Sequence, residues 1–210
     1  MKKLAIIGAG DLGQLIAYYA EEDNQYIVVG FFDDNKTELN ATDNHKILGK
    51  LSDIIPMYQK GLFDCILIGI GYRNIDIREK VFADFYGKVP FGKIIHSSCF
   101  VSSSSRIEEG CVLLPGCIID RNVIIEANVF MNIAVTVAHD SIVRKNSFFA
   151  SSVAIAGCSV IGEKCFLGMN CTIIDNITIG NAVQLGGGAV VIKNIINPGL
   201  YVGNPARFIR

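Results

Sequence analysis

The chain has 210 residues, half of them apolar, and a formal charge of −1 from 19 basic and 20 acidic residues. That length and composition support a substantial buried core in one large or two small domains. The even charge balance, with no basic run, excludes the footprint of a nucleic-acid or anionic-membrane binder and points to small-molecule partners or self-association.

The N-terminal stretch MKKLAIIGAGDLG begins like a secretory leader, but glycines and Asp11 break its apolar run after four residues. It reads as a buried strand, Lys3 to Ile7, followed by Gly8, Gly10 and Gly13 and a helix over Gln14 to Glu22. A second strand, Tyr26 to Phe32, ends in Asp33 and Asp34. A third, Asp64 to Ile70, ends at Gly71 and leads into a helix from about Asn74 to Tyr86. The order βαβαβ is one half of a Rossmann-like sheet, assigned to residues 1–92. A dinucleotide fold needs two such halves, so one half predicts a site for a mononucleotide portion, with a pyrophosphate at the glycine turn and helix N-terminus. The plainer alternative is that the glycines serve only a tight turn and close helix packing. No segment approaches the roughly 20 uninterrupted apolar residues of a membrane span.

From residue 93 onward the pattern changes. Every sixth residue from Ile95 to Val191 is apolar, and the residue four places after each is small or β-branched, as in Cys111, Cys117, Val123, Val129, Val135, Ser141 and Ser147. A period of six fits neither an α-helix nor an extended strand. It fits a triangular coil with one short parallel strand per side, so that three hexads close one turn. The large residues fill the prism, and residues such as Asp120, Arg121, Asn122, Glu163 and Lys164 face outward. Five of seven cysteines, Cys99, Cys111, Cys117, Cys165 and Cys171, fall in the small inward slot, where they are expected to act as compact hydrophobes. The odd cysteine count, with no CxxC pair, argues against a disulfide framework or zinc knuckle and makes a reducing cytoplasm the expected location.

His139 is third in its hexad, on the outer side of the coil, and Asp140 follows it. An outward histidine is either a solvated turn residue or a working acid/base; Asp140 is either an ordinary turn aspartate or the group that orients the imidazole and favours its charged form. Gly157 lies three hexads on, one coil above His139. It either marks a corner requiring positive φ or admits a ligand close to the backbone.

The hexads resemble the hexapeptide-repeat signature of left-handed parallel β-helix acyltransferases. Joined to the N-terminal unit, they are similar to the sugar-nucleotide N-acetyltransferases of bacterial glycan pathways: the bacillosamine and perosamine enzymes and the related sialic acid O-acetyltransferases. The resemblance covers nearly the whole chain and implies an α/β half-Rossmann unit, then an all-β left-handed parallel β-helix over residues 93–210, assembled as homotrimers with sites between subunits. It implies acetyl transfer from acetyl-CoA, with no metal, to the amine, at C4, of a nucleotide-linked amino sugar, with His139 as general base and Asp140 orienting it. It further implies that the Gly157 N–H binds the acetyl carbonyl, that Asn132 lies near the acceptor amine, that Gly10, Asp33, Asp34 and Gly71 hold the nucleotide, and that Arg207, in the closing Gly203 to Arg207 motif, meets a CoA phosphate. Asn132 equally suits a tight corner and Arg207 a solvated terminus. One departure is Phe148, which stands where several relatives carry a second histidine.

Three other readings share the scaffold. Sugar O-acetylation is one, since nothing near His139 separates an amine from a hydroxyl. A non-enzymatic nucleotide-binding trimer is another. A zinc hydrase of the γ-carbonic anhydrase type needs three histidine ligands, whereas the repeat holds only His96 and His139, more than two coils apart.

Overall fold

The computed structural model describes residues 1–36 and 45–210, which form two compact units, Met1–Ile94 and Ile95–Arg210.

The first unit is a four-stranded parallel sheet in the order β3-β2-β1-β4, formed by β1 (Lys2–Ile7), β2 (Tyr26–Phe32), β3 (Ile47–Gly49) and β4 (Cys65–Ile68). Leu4 to Ile7 and Ile66 to Ile68 are buried on both faces, as the unbroken apolar runs of a parallel sheet require. Helix α1 (Asp11–Glu22) follows β1, α2 (Ile54–Gln59) precedes β4, and α3 (Ile75–Phe85) follows it. Helix α1 buries Ile16, Ala17 and Ala20, a spacing that lies along one helical stripe. The sheet holds one strand more than the sequence pattern predicts. β3 has only three residues, all partly exposed, too few for period-two alternation to register.

From β1 the chain runs outward to β2 and β3, then returns to place β4 on the opposite side of β1. The switch point therefore lies at the carboxyl ends of β1 and β4, where open α/β sheets form their binding crevice. Both of the first unit's candidate glycine turns stand there. The turn after β4 is fastened by Arg78 of α3, a fully buried side chain whose guanidinium donates to the carbonyls of Ile68 (2.7 Å) and Ile70 (3.2 Å).

The second unit is the left-handed β-helix. Its strands, mostly of two residues, stack into three sheets, and up to Val191 each pairs in parallel with the strand three hexads away, as Thr136 with Ala154 and Val137 with Ile155. The period of six thus becomes a core column: Ile119, Ile125, Met131, Val137, Val143 and Phe149 are all fully buried.

Two features of the coil go beyond the hydrophobic pattern. Every sixth residue from Gly110 to Gly188 has positive φ, including Asn122, Asn128, Asp140, Asn146, Cys158, Asn170 and Asn176. This fourth hexad position is the corner, and glycine and asparagine are frequent there because they enter the left-handed region most readily. The small inward slot also has a polar duty. Cys111 Sγ donates to the carbonyl of Glu126 (3.1 Å), Cys165 to Gly180 (3.1 Å) and Cys171 to Gly186 (3.0 Å), while Ser147 Oγ makes the same bond to Gly162 (2.9 Å). The slot cysteines are therefore weak donors to the next coil as well as compact apolar groups, which is why serine occupies the same slot elsewhere. The prism ends in a four-residue strand, Gly199–Val202, whose outer side is covered by antiparallel Arg207–Phe208. That pairing leaves no long open edge at this end.

Candidate functional site

His139 follows the strand Thr136–Val137, and its neighbour Asp140 occupies the left-handed corner at φ 58. The two side chains meet within the turn: His139 Nδ1 lies 2.9 Å from Asp140 Oδ2, and both are partly exposed, at 42% and 37%. An ionised carboxylate only accepts, so Nδ1 carries the proton and Nε2 is left with a lone pair. Asp140 is held in turn from the coil below. Asn122 Nδ2, one turn earlier, donates to its other oxygen at 2.9 Å, and the Arg121 guanidinium stands 3.6 Å away. The Asn122 hydrogen bond first, then that of His139, and then the positive charge of Arg121 keep the Asp140 carboxyl below its ordinary value.

Gly157 stacks on His139, with the Cys158 N–H donating to the His139 carbonyl at 2.9 Å. Its φ is not positive; the corner of that hexad is Cys158, at φ 56. The corner explanation of Gly157 is thereby corrected. What requires glycine is the imidazole itself, since a Cβ on Gly157 would lie 2.6 Å from His139 Cε1 and 2.8 Å from Nε2. The imidazole, Nε2 included, thus packs against Gly157. N–H groups at this third hexad position turn outward, and side-chain oxygens take those of Arg121, Ile133, Lys145 and Glu163. Among the described residues no side chain takes that of Gly157.

Asn132 sits at a different corner of the prism, where Ala134 rather than Asn132 has positive φ, so its identity is not set by a tight turn. Its Oδ1 accepts the Ile133 N–H at 2.8 Å, and within one chain no hydrogen bond among the described residues joins it to His139. Arg207 lies exposed on the closing strand, also apart from His139 in the contacts of the chain. Phe148 is buried and stacks on Phe130, with ring centroids 4.5 Å apart and planes 17° from parallel, and Phe166 continues the column.

In the first unit the glycines divide into two kinds. Gly8, at φ +98, Gly13 and Gly69 are required by packing: a Cβ on Gly13 would meet the Gly8 carbonyl oxygen at 2.0 Å, and one on Gly69 would meet Gly13 Cα at 2.5 Å. Gly10 and Gly71 have ordinary negative φ, and a Cβ on either would touch nothing within 4 Å. They stand at the N-termini of α1 and of the helical turn Tyr72–Asn74, with no side chain capping either end. The packing alternative therefore holds for Gly8, Gly13 and Gly69, and packing does not account for Gly10 and Gly71. Asp33 is turned onto the glycine loop, accepting the N–H groups of Ala9 (2.9 Å), Asn35 (2.9 Å) and Lys36 (3.1 Å), while Lys36 Nζ donates to the Ala9 carbonyl at 3.0 Å. Burial raises the Asp33 pKa, but those three N–H groups and Lys36 outweigh it and set the carboxyl below its usual value. Asp34 accepts the Leu51 N–H at 2.9 Å.

Comparison with known proteins matches both units of the chain. Residues 3–85 match the PglD N-terminal domain and residues 158–193 match the bacterial transferase hexapeptide (six repeats). The acetyltransferase domain of PglB from Neisseria gonorrhoeae FA1090 superposes with a TM-score of 0.90 at 26% identity, with complete coverage of both chains. That domain is also known in complex with acetyl coenzyme A. Along its whole length the chain is similar to this hexapeptide-repeat acetyltransferase domain. Its fold is shared by PerB from Caulobacter crescentus, known with CoA and GDP-perosamine (TM-score 0.90, 24% identity, 100% and 98% of the two chains), and by WeeI from Acinetobacter baumannii AYE (0.85, 23%, 100% of each). No curated protein matches the sequence.

Three residues of the prism beside His139 escaped the sequence reading. Asn122 and Cys158 lie one turn before and one turn after Asp140, a signal present in the repeat; Arg121 is the neighbour of Asn122. Among the described residues no helix is long and apolar enough to cross a membrane.

Proposed function

We propose that the protein transfers the acetyl group of acetyl-CoA to the amine, at C4, of a nucleotide-linked amino-deoxy sugar, with His139 as general base. The observation that carries this reading is the contact of His139 Nδ1 with Asp140, which in the neutral imidazole leaves Nε2 to accept a proton, together with the Gly157 backbone beside the ring. A thioester carbonyl accepting the Gly157 N–H would have its carbon beside Nε2. The amine attacks that carbon while Nε2 takes its proton. The oxyanion is held by the N–H, and its collapse breaks the carbon–sulfur bond. The imidazolium then returns the proton to the departing CoA sulfur, so no covalent enzyme intermediate is required. Asp140 keeps Nδ1 protonated throughout and stabilises the imidazolium.

Gly10 and Gly71, at two uncapped helical N-termini beside the switch point, suit the pyrophosphate of the acceptor. Asp33 and Asp34 shape the rim of that crevice. A homotrimer, in which a neighbouring subunit brings its Asn132 and CoA contacts such as Arg207 to His139, accounts for those residues standing apart within one chain. A cytoplasmic location agrees with seven free cysteines.

The test is thiol release from acetyl-CoA with UDP-, dTDP- and GDP-linked amino sugars and with free sialic acid as acceptors. A nucleotide-linked amine should be the best acceptor, and His139→Ala should lower its turnover by at least about 10²-fold. Activity on free sialic acid alone would establish O-acetylation instead. Activity indifferent to His139→Ala would refute its role as base.

A further inference from the structure

The proposed transfer uses His139 and Asp140 but gives no task to Cys158. These three residues each offer one donor atom, and the three atoms lie within 4.8 Å of one another. The coil builds the group. Cys158 occupies the same left-handed corner as Asp140, one turn later, and its N–H is bonded to the His139 carbonyl. Cys158 is also the exposed cysteine of the seven, the other six being buried or partly so.

A thiolate, an imidazole and a carboxylate suit a borderline-soft divalent cation. In a tetrahedral zinc site, bonds of about 2.0–2.3 Å put ligands roughly 3.3–3.8 Å apart, so His139 Nδ1 and Asp140 Oδ2, now 2.9 Å apart, need to open slightly, while any separation near the 4.8 Å limit of the group needs to close. Side-chain torsions at partly exposed positions supply that movement, and the fourth position stays open to solvent. Asn122 already holds the second oxygen of Asp140 at 2.9 Å, as an outer partner orients a ligating carboxylate. Arg121, 3.6 Å from Asp140 Oδ2, is a cation that opposes the ion and has to swing aside.

We propose that His139, Asp140 and Cys158 form a binding site for Zn²⁺ or a similar thiophilic divalent ion, and that the bound ion blocks acetyl transfer by taking the imidazole. The binding claim stands on the donor geometry alone; the blocking claim rests on the acetyltransferase reading.

The experiment is a titration of the purified, metal-stripped protein with Co²⁺, read by thiolate-to-metal absorption, and with Zn²⁺, read by calorimetry. One ion per chain is expected. The absorption should disappear in Cys158→Ser, and Zn²⁺ binding should weaken in Cys158→Ser and His139→Ala by at least the roughly 10-fold that loss of even an outer partner costs. Affinity should rise with pH, because thiol and imidazole must shed protons to bind. Circular dichroism establishes that each variant is folded. Absence of saturable binding, or a cobalt–thiolate band that persists in Cys158→Ser, overturns the site. With acetyl-CoA and acceptor present, Zn²⁺ should inhibit the wild type at least about tenfold more strongly than Cys158→Ser; stoichiometric binding with undiminished transfer overturns the blocking claim. Metal binding as described in a protein that transfers no acetyl group would count against the acetyltransferase reading and leave the site standing.

Discussion

A Cβ on Gly157 would lie 2.6 Å from Cε1 of His139, so glycine at one coil is what allows the imidazole of the coil below to rest against the backbone. Gly157→Ala should therefore displace the ring and the Nε2 lone pair. Because φ at Gly157 is not positive, alanine adds no backbone strain there, and the thermal midpoint should stay within a few degrees of wild type. Turnover should fall by about 10²- to 10³-fold, the range for loss of one oxyanion donor. Steady-state kinetics beside a melting curve checks both halves, and near-normal turnover would remove Gly157 from the site.

Asp140→Asn keeps the volume of the side chain but permits the opposite imidazole tautomer. It should lower kcat by about 10²- to 10⁴-fold with a smaller effect on KM, as when a triad aspartate is neutralised. The Asp140 carboxyl titrates below 3.8, so it is ionised at every pH above that value and loses its charge only as pH falls further. A wild-type rate loss between pH 7 and 5 must then arise from another group. Asn122→Ala should produce a milder fall, since it removes a donor to Asp140 but not the charge.

The two kinds of glycine in the first unit should separate on mutation. Gly13→Ala drives a methyl to within 2.0 Å of the Gly8 carbonyl oxygen and should cost about 3 kcal/mol or more, seen in urea or thermal unfolding. Gly10→Ala and Gly71→Ala meet nothing and should fold normally. Their effect should fall on the KM of the nucleotide-linked acceptor, with the KM of acetyl-CoA unchanged.

Asp33 ties the glycine loop to the end of β2 through three backbone N–H groups. Asp33→Ala should destabilise the protein by about 1–2 kcal/mol at neutral pH, given partial exposure. Because the folded-state pKa lies below 3.8, the unfolded chain binds the proton first as pH falls. The stabilisation is thus complete above that value and is lost through the folded-state pKa below it. Stability curves of wild type and Asp33→Ala should converge below about pH 4 and separate by a constant amount above it.

The coil was legible in the sequence because a core column of Ile119, Ile125, Met131, Val137 and Val143 leaves an unmistakable period, and because His139 and Gly157 differ by one turn. The corner has its own trace in the spacing of Asn122, Asn128, Asn146, Asn170 and Asn176, one position beyond that of Gly157 in the hexad. Other features leave no one-dimensional trace. β3 is too short for a pattern, and the slot cysteines disclose their hydrogen bonds only once the carbonyl of the next coil is in place. Arg78 reads as a surface helix residue until the two carbonyls it holds are seen. The family likeness marked the position of Phe148 but not its stacking on Phe130 and Phe166, which puts an aromatic column where a histidine would be a polar one.

The pairing of each strand with the one three hexads later makes the prism a ruler as well as a scaffold. Adding or removing a whole turn away from His139 and Gly157 changes its length and leaves their stacking untouched. A single inserted hexad between them would rotate everything downstream by a third of a turn, setting a residue other than Gly157 above the imidazole. Length variation in such a protein is therefore free in whole turns and forbidden in single hexads within the working turn, so the chemistry has a reading frame of its own.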